Sequence, residues 1–275
     1  MNINIKEKVW GWKQRFFIGL ADRKCTLNGI LLEQGYVKLE QFFSTVDLKQ
    51  VQPIVTALSI KEEENRNKLV HRINNSLELA PVLIKVLDSG IVQEIVFNYL
   101  GKNARFDSCS SWRASSFSDN NHGSGLWHHD SVGHRIKGFL FLNDTREVNA
   151  PYTLFCPGSH LIKHKGFEYE KTRFSEEYIL EHFKIQKLNG GPGDLVLFDT
   201  NALHRGGYTK NETHRDIVQF EFSSQFKSDF ISGDIGPRNT FFPTSLSNSI
   251  HENPLIDKNL LKLADNGYAY GRDIS

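Results

Sequence analysis

Residues 189–207 read NGGPGDLVLFDTNALHRGG and combine a turn, an apolar strand and a second short strand-like run. The glycines and the proline in residues 189–194 favour a tight chain reversal, because they supply positive or fixed φ angles. Residues 195–199 then form an apolar run of strand length, and residues 203–207 have a similar character. This succession of turns and short strands is typical of an antiparallel β-sandwich or barrel.

The same pattern extends outward from this stretch over the middle of the chain. Short β-rich runs separated by turn residues occupy residues 95–99, 105–115, 125–130, 135–142, 152–156, 195–199 and 216–222. They predict a mainly β fold with flanking helices and a core over residues 95–225. No linker or repeat interrupts the chain, so we expect a single domain over residues 1–275.

Residues outside this core have a different character. Residues 1–95 read as mostly helical, apart from an early strand at residues 35–39. Residues 226–275 form a C-terminal extension in which residues 254–263 favour a helix.

Charge and composition exclude several classes of protein. The 33 Lys and Arg residues nearly balance the 32 Asp and Glu residues, which predicts no nucleic-acid or membrane partner. No apolar run has the length of a membrane helix or a signal-peptide core, so we expect a cytoplasmic protein. Three cysteines at wide spacing, Cys25, Cys109 and Cys156, indicate reduced thiols rather than a disulfide framework or a cysteine zinc site.

The sequence WHHD places His128 and Asp130 two residues apart. On a β-strand, alternate side chains share a face, so this pair can converge on one metal ion while His129 points away. The pair alone is a weak signal, because histidine is abundant and His214 with Asp216 repeats the spacing.

Two further residues, much later in the chain, strengthen the hypothesis of a metal site. His204 follows Asp130 by 74 residues, and Arg215 follows His204 by eleven. If the two lie on adjacent antiparallel strands, both can project into the same cavity. Two imidazoles and one carboxylate leave three positions open on an octahedral ion, which suits ferrous iron with a chelating co-substrate and dioxygen. A nearby arginine suits the far carboxylate of a dicarboxylate co-substrate.

Taken together, these motifs resemble the phytanoyl-CoA dioxygenase family of Fe(II)/2-oxoglutarate-dependent oxygenases. The resemblance covers roughly residues 35–225 and rests on Gly35-Tyr36-Val37, His128-x-Asp130, Pro157-Gly158-Ser159-His160, Gly193-Asp194, His204 and Arg215. It implies a double-stranded β-helix, the jelly-roll or cupin-like core, with helices packed outside. It also implies that His128, Asp130 and His204 bind Fe(II), that Arg215 binds 2-oxoglutarate, and that O2 is the second co-substrate.

Position 206 departs from the family pattern. The family often has Ser two residues after the distal histidine, whereas this chain has Gly206, so Thr209 or Thr213 is a candidate for the missing hydroxyl. The carboxylate of Asp130 indicates which reaction the family resemblance implies. Related halogenases have Gly or Ala at this position, and an Asp therefore favours hydroxylation.

Arg113 and His160 are candidate substrate residues. Arg113 either holds an anionic group of the substrate or co-substrate, or is a solvated residue at a strand edge. His160 either lines the mouth of the active site or caps a turn. Residues 117–125 and 161–187 are the segments expected to contribute most of the pocket.

The function implied is hydroxylation of an unactivated C–H bond of a small metabolite, as a tailoring step in natural-product biosynthesis. An alternative is hydroxylation of an acyl-CoA thioester, although no long basic patch for coenzyme A is evident. A second alternative is a non-catalytic jelly-roll protein that binds a ligand. The expected partner is a small-molecule substrate, and no prediction of the oligomeric state follows.

Overall fold

Two antiparallel sheets form the centre of the protein, and their inward faces share one core. The computed structural model describes residues 26–66, 68–115, 123–130, 135–147, 149–161, 172–207, 213–224 and 240–271. All strand pairs within the two sheets are antiparallel. The predicted jelly-roll core is confirmed by this arrangement.

The larger sheet has six strands, several of them neighbours in space but distant in sequence. Their spatial order is β1 (Tyr36–Leu39), β9 (Leu195–Asp199), β5 (Arg135–Phe141), β11 (His214–Ser224), β3 (Ala104–Ser115) and β2 (Val70–Ile73). The strands β3 and β11 are the longest pair, with one register shift at Glu221 and Phe222.

The smaller sheet has five short strands. Their spatial order is β7 (Arg173–Phe174), β4 (Trp127–His128), β10 (His204–Gly207), β6 (Tyr152–Phe155) and β8 (Gln186–Leu188). Its central strand β10 pairs with β4 on one side and with β6 on the other. Residues 127–130 and 204 are therefore adjacent in space, although more than seventy residues separate them in the chain.

An apolar core fills part of the space between the sheets. It consists of Phe139, Phe141, Phe155, Leu188, Val196, Phe198, Ala202 and Ile217. Phe198 makes edge-on contacts with Phe139 and Phe155, so residues from both sheets share this core. Burial of such large side chains supplies the main free energy that holds the sheets together.

Helices cover the other face of the six-stranded sheet. They are α1 (Thr26–Gln34), α2 (Thr45–Gln50), α3 (Gln52–Glu64), α4 (Ser76–Leu79), α5 (Ile84–Asp88) and α6 (Gly90–Leu100). Ser44 begins α2 with a capping box, in which its hydroxyl accepts from the Asp47 amide and the Asp47 carboxylate accepts from the Ser44 amide. Val218 and Phe220 of β11 point into this helical layer, within a second apolar core.

The structure corrects the boundaries predicted for the N-terminal part. Residues 95–99 belong to helix α6 and not to a strand, because Val92, Ile95, Val96 and Tyr99 recur at helical spacing and form one buried face. The β-rich run that follows begins at Ala104, while β1 and β2 from the N-terminal part join the six-stranded sheet.

The described part of the C-terminal extension forms a third sheet. Its strands are β12 (Thr240–Pro243), β14 (Gly267–Tyr270) and β13 (Leu261–Ala264), and helix α7 (Ser247–Glu252) lies between β12 and β13. The predicted helix at residues 254–263 is wrong: a 3₁₀ turn at Lys258–Leu260 leads directly into β13. Strand β13 pairs with β14 across a short turn, so its backbone hydrogen bonds are made in a hairpin.

Cys109 and Cys156 are free and buried, as expected for reduced thiols, whereas Cys25 lies outside the described residues. Among the residues that the structure describes, no helix is long and apolar enough to cross a membrane.

Candidate metal centre

Three predicted metal ligands meet at the smaller sheet. His204 on β10 pairs in register with His128 on β4, and their ring centroids are 4.4 Å apart. Asp130 follows β4 by two residues, and its Oδ1 atom lies 3.9 Å from His204 Nε2. One ligand atom from each residue lies within 4.8 Å of the other two. The structure thus brings together the His128, Asp130 and His204 side chains that sequence reasoning grouped.

Hydrogen bonds to the backbone fix the orientation of both imidazole rings. His128 Nδ1 donates to the Leu126 carbonyl at 2.7 Å, and His204 Nδ1 donates to the Ala202 carbonyl at 2.8 Å. A carbonyl oxygen can only accept, so each Nδ1 carries the proton and each Nε2 keeps a free lone pair. This arrangement prepares Nε2 of both rings to bind a metal.

Burial keeps these imidazoles in the neutral form. Desolvation, with a further contribution from His204, lowers the pKa of His128 to about 3. Burial likewise lowers the pKa of His204, and the negative charge of Asp130 opposes this shift only in part. Both rings are therefore ready to coordinate a metal at neutral pH without first losing a proton.

Two cations hold the carboxylate of Asp130. Its Oδ2 atom lies 2.8 Å from both Arg135 Nη2 and Lys137 Nζ. Burial alone raises the pKa of Asp130, but the positive charges of Lys137 and Arg135 outweigh this effect and leave the pKa well below its ordinary value. The carboxylate is thus ionised, and its Oδ1 atom faces the histidines.

These residues fit a ferrous iron ion. Two neutral imidazole nitrogens and one carboxylate oxygen match the facial triad of non-haem Fe(II) oxygenases, which leaves positions for co-substrates. The Nδ1 hydrogen bonds and the two cations on Asp130 supply the outer contacts that such a triad needs.

Arg215 lies on the inward face of β11, beside the smaller sheet. Its Nη1 atom donates to the Thr153 hydroxyl at 2.6 Å, and its guanidinium carbon lies 5.9 Å from the centre of the Phe139 ring. Thr153 stands opposite Gly206 in the pairing of β6 with β10, and Phe155 of β6 stands opposite His204. Arg215 and the metal ligands therefore face the same space between the sheets.

Thr153 supplies a hydroxyl beside Arg215 that sequence reasoning did not find. The two candidates named from sequence fit less well: the Thr213 hydroxyl donates to the Asn149 carbonyl at 2.9 Å, and Thr209 lies outside the described residues. Since Thr153 is the cross-strand partner of Gly206, a hydroxyl missing from one strand is present on its neighbour. Strand register, which sequence alone does not provide, was the missing information.

Arg113, expected either to bind substrate or to be a solvated residue at a strand edge, is instead buried on the helical side of the larger sheet. Its Nε and Nη2 atoms donate to the two carboxylate oxygens of Asp216, at 2.8 and 2.6 Å. Its Nη1 atom bonds to Glu62 and Ser59 of α3. The guanidinium is therefore committed to a buried network that ties α3 to the sheet.

His160 is buried beneath the start of β1. Its Nε2 atom hydrogen bonds with the Leu32 carbonyl at 2.9 Å, and its ring lies against Gly35. A Cβ atom at position 35 would come within 2.7 Å of the His160 Nδ1 atom, and the φ angle of +81° at this residue also favours glycine. These contacts support the turn-capping interpretation of His160 rather than a role at the mouth of the site.

Sequence reasoning also missed the charged residues of β5 and β11 around the triad. Arg135 and Lys137 contact Asp130, and Glu221 lies 3.2 Å from Arg135 Nη1. The sequence RIKGFLF, residues 135–141, contained the information that could have revealed them. Alternate residues of a strand share a face, so Arg135 and Lys137 lie on the same face as Phe139. Of the segments expected to line the pocket, residues 117–122 and 162–171 lie outside the described residues.

A buried group of two histidines and one carboxylate inside a jelly roll, with an arginine facing the same space, defines an Fe(II)/2-oxoglutarate-dependent dioxygenase. Comparison with known proteins identifies the family. The chain belongs to the phytanoyl-CoA dioxygenase (PhyH) family, whose sequence profile matches residues 31–217.

Individual relatives are distant in sequence. The chain is 23% identical over 222 residues to the probable alpha-ketoglutarate-dependent hypophosphite dioxygenase of Stutzerimonas stutzeri, a match that covers 70% of this chain and 76% of that protein. It superimposes on the epimerase SnoN, solved with Fe3+, alpha ketoglutarate and nogalamycin RO, with a TM-score of 0.57. That match has 13% identity and covers 78% of this chain and 92% of SnoN.

Another solved structure with the same fold is HygX from Streptomyces hygroscopicus, with nickel and 2-oxoglutarate bound. Its TM-score is 0.56 at 12% identity, and the match covers 78% of this chain and 96% of HygX. EctD from S. alaskensis, with bound Fe, gives a TM-score of 0.56 at 16% identity, over 74% of this chain and 78% of EctD.

Proposed function

We propose that the protein hydroxylates an unactivated C–H bond of a small metabolite, as a tailoring step in natural-product biosynthesis, with Fe(II), 2-oxoglutarate and O2. The observation that carries this proposal is the convergence of His128, Asp130 and His204 in a buried site that Arg215 also faces. Three solved proteins with a similar fold are linked to natural products: SnoN was solved with nogalamycin RO, the carbocyclase SnoK comes from nogalamycin biosynthesis, and HygX was solved with hygromycin B. Their varied reactions make the choice of hydroxylation a separate question for experiment.

The residues of the site each have a defined task in the proposed reaction. His128, Asp130 and His204 would hold the iron, which supplies the redox chemistry that couples decarboxylation of 2-oxoglutarate to oxidation of the substrate. Arg215 would bind the distal carboxylate of 2-oxoglutarate with its guanidinium, and the Thr153 hydroxyl would complete that contact. Phe139, Phe155 and Phe198 exclude water from the adjoining space.

The carboxylate Asp130 depends on its neighbours for its charge and position. Arg135 and Lys137 keep it ionised and bind its Oδ2 atom, so that Oδ1 is presented to the metal. The backbone amide of Asp130 donates to the Thr200 carbonyl at 2.9 Å and anchors the chain at this point. A preorganised ligand set of this kind binds metal without a large rearrangement.

The experiment that tests this function is succinate release across a panel of candidate substrates. Iron-loaded protein is incubated with 2-oxoglutarate, O2 and either small natural-product precursors or acyl-CoA thioesters, and both succinate and hydroxylated product are measured. We expect a small metabolite to accelerate succinate release in step with formation of its hydroxylated product, and His204→Ala to abolish both.

Three results would contradict the proposal. Stimulation by acyl-CoA thioesters alone would favour the rival substrate class. Absence of succinate from the iron-loaded protein under every condition would favour a non-catalytic ligand-binding protein. Full activity of the His204→Ala variant would remove His204 from the metal site.

A further inference from the structure

Lys137 brings a second positive charge to Asp130, in addition to that of Arg135. Its Nζ atom lies 2.8 Å from Asp130 Oδ2, and 15% of its side chain is exposed. Arg135 binds the same oxygen, so Asp130 Oδ2 is shared between two cations. A single carboxylate that also ligates a divalent metal cannot balance both.

Arg135 has a second anionic partner, whereas the contacts described for Lys137 lead only to Asp130. Arg135 Nη1 lies 3.2 Å from Glu221 Oε2, and Gln219 donates to Glu221 Oε1 at 2.7 Å. Deeper in the sheet, Arg105 lies 3.5 Å from Asp107 and 3.6 Å from Asp257, so these two carboxylates share a cation of their own. Arg135 and Glu221 form a separate balanced pair nearer the triad.

Among the described groups next to the triad, the formal charges expected once Fe(II) and 2-oxoglutarate are bound leave one excess positive charge. Fe(II) and Asp130 together contribute +1, and 2-oxoglutarate with Arg215 contributes −1, so these four groups cancel. The charge of Lys137 then remains. Lys137 shares the Asp130 carboxylate with Arg135 and would share it with the metal, so an anionic group brought to Lys137 lowers the cost of burying its charge.

We propose that Lys137 binds an oxyanion group of the substrate, so that the substrate is a small carboxylate, phosphonate or related phosphorus oxyanion. The inference rests on the function proposed above and narrows its substrate class. Because Nζ lies 2.8 Å from the second oxygen of the Asp130 carboxylate, an oxyanion bound to Lys137 would bring the neighbouring substrate atom close to the metal that Asp130 would hold. Lys137 thus determines both which substrates bind and which end of them is oxidised.

The test compares matched anionic and neutral probes. Under anaerobic conditions, protein loaded with Fe(II) and saturating 2-oxoglutarate is titrated calorimetrically with butyrate, propylphosphonate and neutral butyramide. A charge-assisted hydrogen bond contributes about 1.5–3 kcal/mol, so at least one anion should bind roughly 10–100-fold more tightly than the amide. The carboxylate and phosphonate arms then show which oxyanion the site prefers.

Variants separate substrate binding from support of Asp130. Lys137→Gln should abolish the preference for the anion, and Lys137→Arg should keep most of it. The matched control is Lys61→Gln on the exposed surface of α3, which makes the same change in charge and should bind as the wild type does. A residue that merely steadies Asp130 would not change the ratio of anion to amide affinity.

The visible band of the anaerobic Fe(II)–2-oxoglutarate chelate separates failure of the inference about Lys137 from failure of the proposed function. If the wild type forms the band but binds butyramide as tightly as both anions, the inference is overturned and the proposed function stands. If Lys137→Gln keeps the anion preference, the inference is likewise overturned. If the wild type forms no band, the proposed function fails and the inference fails with it.

Discussion

Two carboxylates, the partly buried Asp130 and the fully buried Asp216, each pair with an arginine but have different roles. Asp216 faces the helical layer, where Arg113 occupies both of its oxygens. Asp130 faces the space between the sheets, where Arg135 and Lys137 share Oδ2 and leave Oδ1 directed at His204. A carboxylate with both oxygens occupied stabilises the fold, whereas one with a free oxygen beside two imidazoles can bind a metal.

The same division runs along strand β11. Val218 and Phe220 are buried among the helices, while Arg215, Gln219 and Glu221 lie on the opposite face of the strand. Because successive side chains of a strand point to opposite faces, one strand serves the stable core and the reactive site at once. Substitutions on the two faces should therefore have separable effects.

Replacing each carboxylate by an amide should give the largest difference between loss of activity and loss of stability. Asp130→Asn should reduce succinate release at least about 100-fold, because it removes a charged metal ligand and disturbs its outer contacts. Asp216→Asn should lower the free energy of unfolding by about 3 kcal/mol, because Arg113 then loses its forked partner in a buried site. Turnover and urea denaturation of both variants check the prediction, and similar effects of the two changes on both quantities would contradict it.

The Arg215→Gln variant tests whether Arg215, on the inward face of β11, binds 2-oxoglutarate. Loss of a charge-assisted contact costs about 1.5–3 kcal/mol, so the KM for 2-oxoglutarate should rise roughly 10–100-fold. Unfolding should change little, and Arg215→Lys should restore only part of the affinity because it lacks the planar fork. An unchanged KM would place the distal carboxylate elsewhere.

The stability of the metal-free protein should fall with decreasing pH below about 6.5. Burial lowers the pKa of His128 to about 3 and that of His129 to about 4, from an ordinary value of 6.5. The unfolded chain therefore binds more protons in this window, and each histidine destabilises the fold by up to about 1.4 kcal/mol per pH unit. Urea denaturation between pH 7.5 and 5 measures the slope, which His129→Asn should reduce.

A flat stability profile over that pH range would show that the histidines become protonated without unfolding.

The Thr153→Val variant should give the smallest effect among the changes near the metal centre. It removes one hydroxyl next to Arg215, which is worth about 1 kcal/mol, so the KM for 2-oxoglutarate should rise about five-fold. Thr213→Val is the matched control, because the Thr213 hydroxyl bonds to the Asn149 carbonyl instead. A larger effect at Thr213 than at Thr153 would contradict the assignment.

The sequence predicted the fold and the grouped ligands where local patterns carry the information. Turn residues and apolar runs revealed most of the core strands, and the spacing of His128 and Asp130 follows from strand alternation. Residues 95–99 were misassigned because a short apolar run suits a strand and a buried helix equally well.

Long-range pairing accounts for what the sequence did not predict. Thr153 acquires its place beside Arg215 through the register of β6 with β10, and Arg113 acquires its partners through the register of β3 with β11 and the packing of α3. Lys137 was overlooked because its importance depends on Asp130, which reaches it from the other sheet. Such contacts depend on tertiary structure and leave no local pattern.

The most direct test of the metal centre is an anaerobic titration of the wild type and His204→Ala with Fe(II) in the presence of 2-oxoglutarate. The weak visible charge-transfer band of the chelate should appear in the wild type and saturate at one iron per chain, and it should be absent from the variant. A wild type without the band, or a variant that forms it with unchanged affinity, would contradict the assignment of His128, Asp130 and His204 to one iron site.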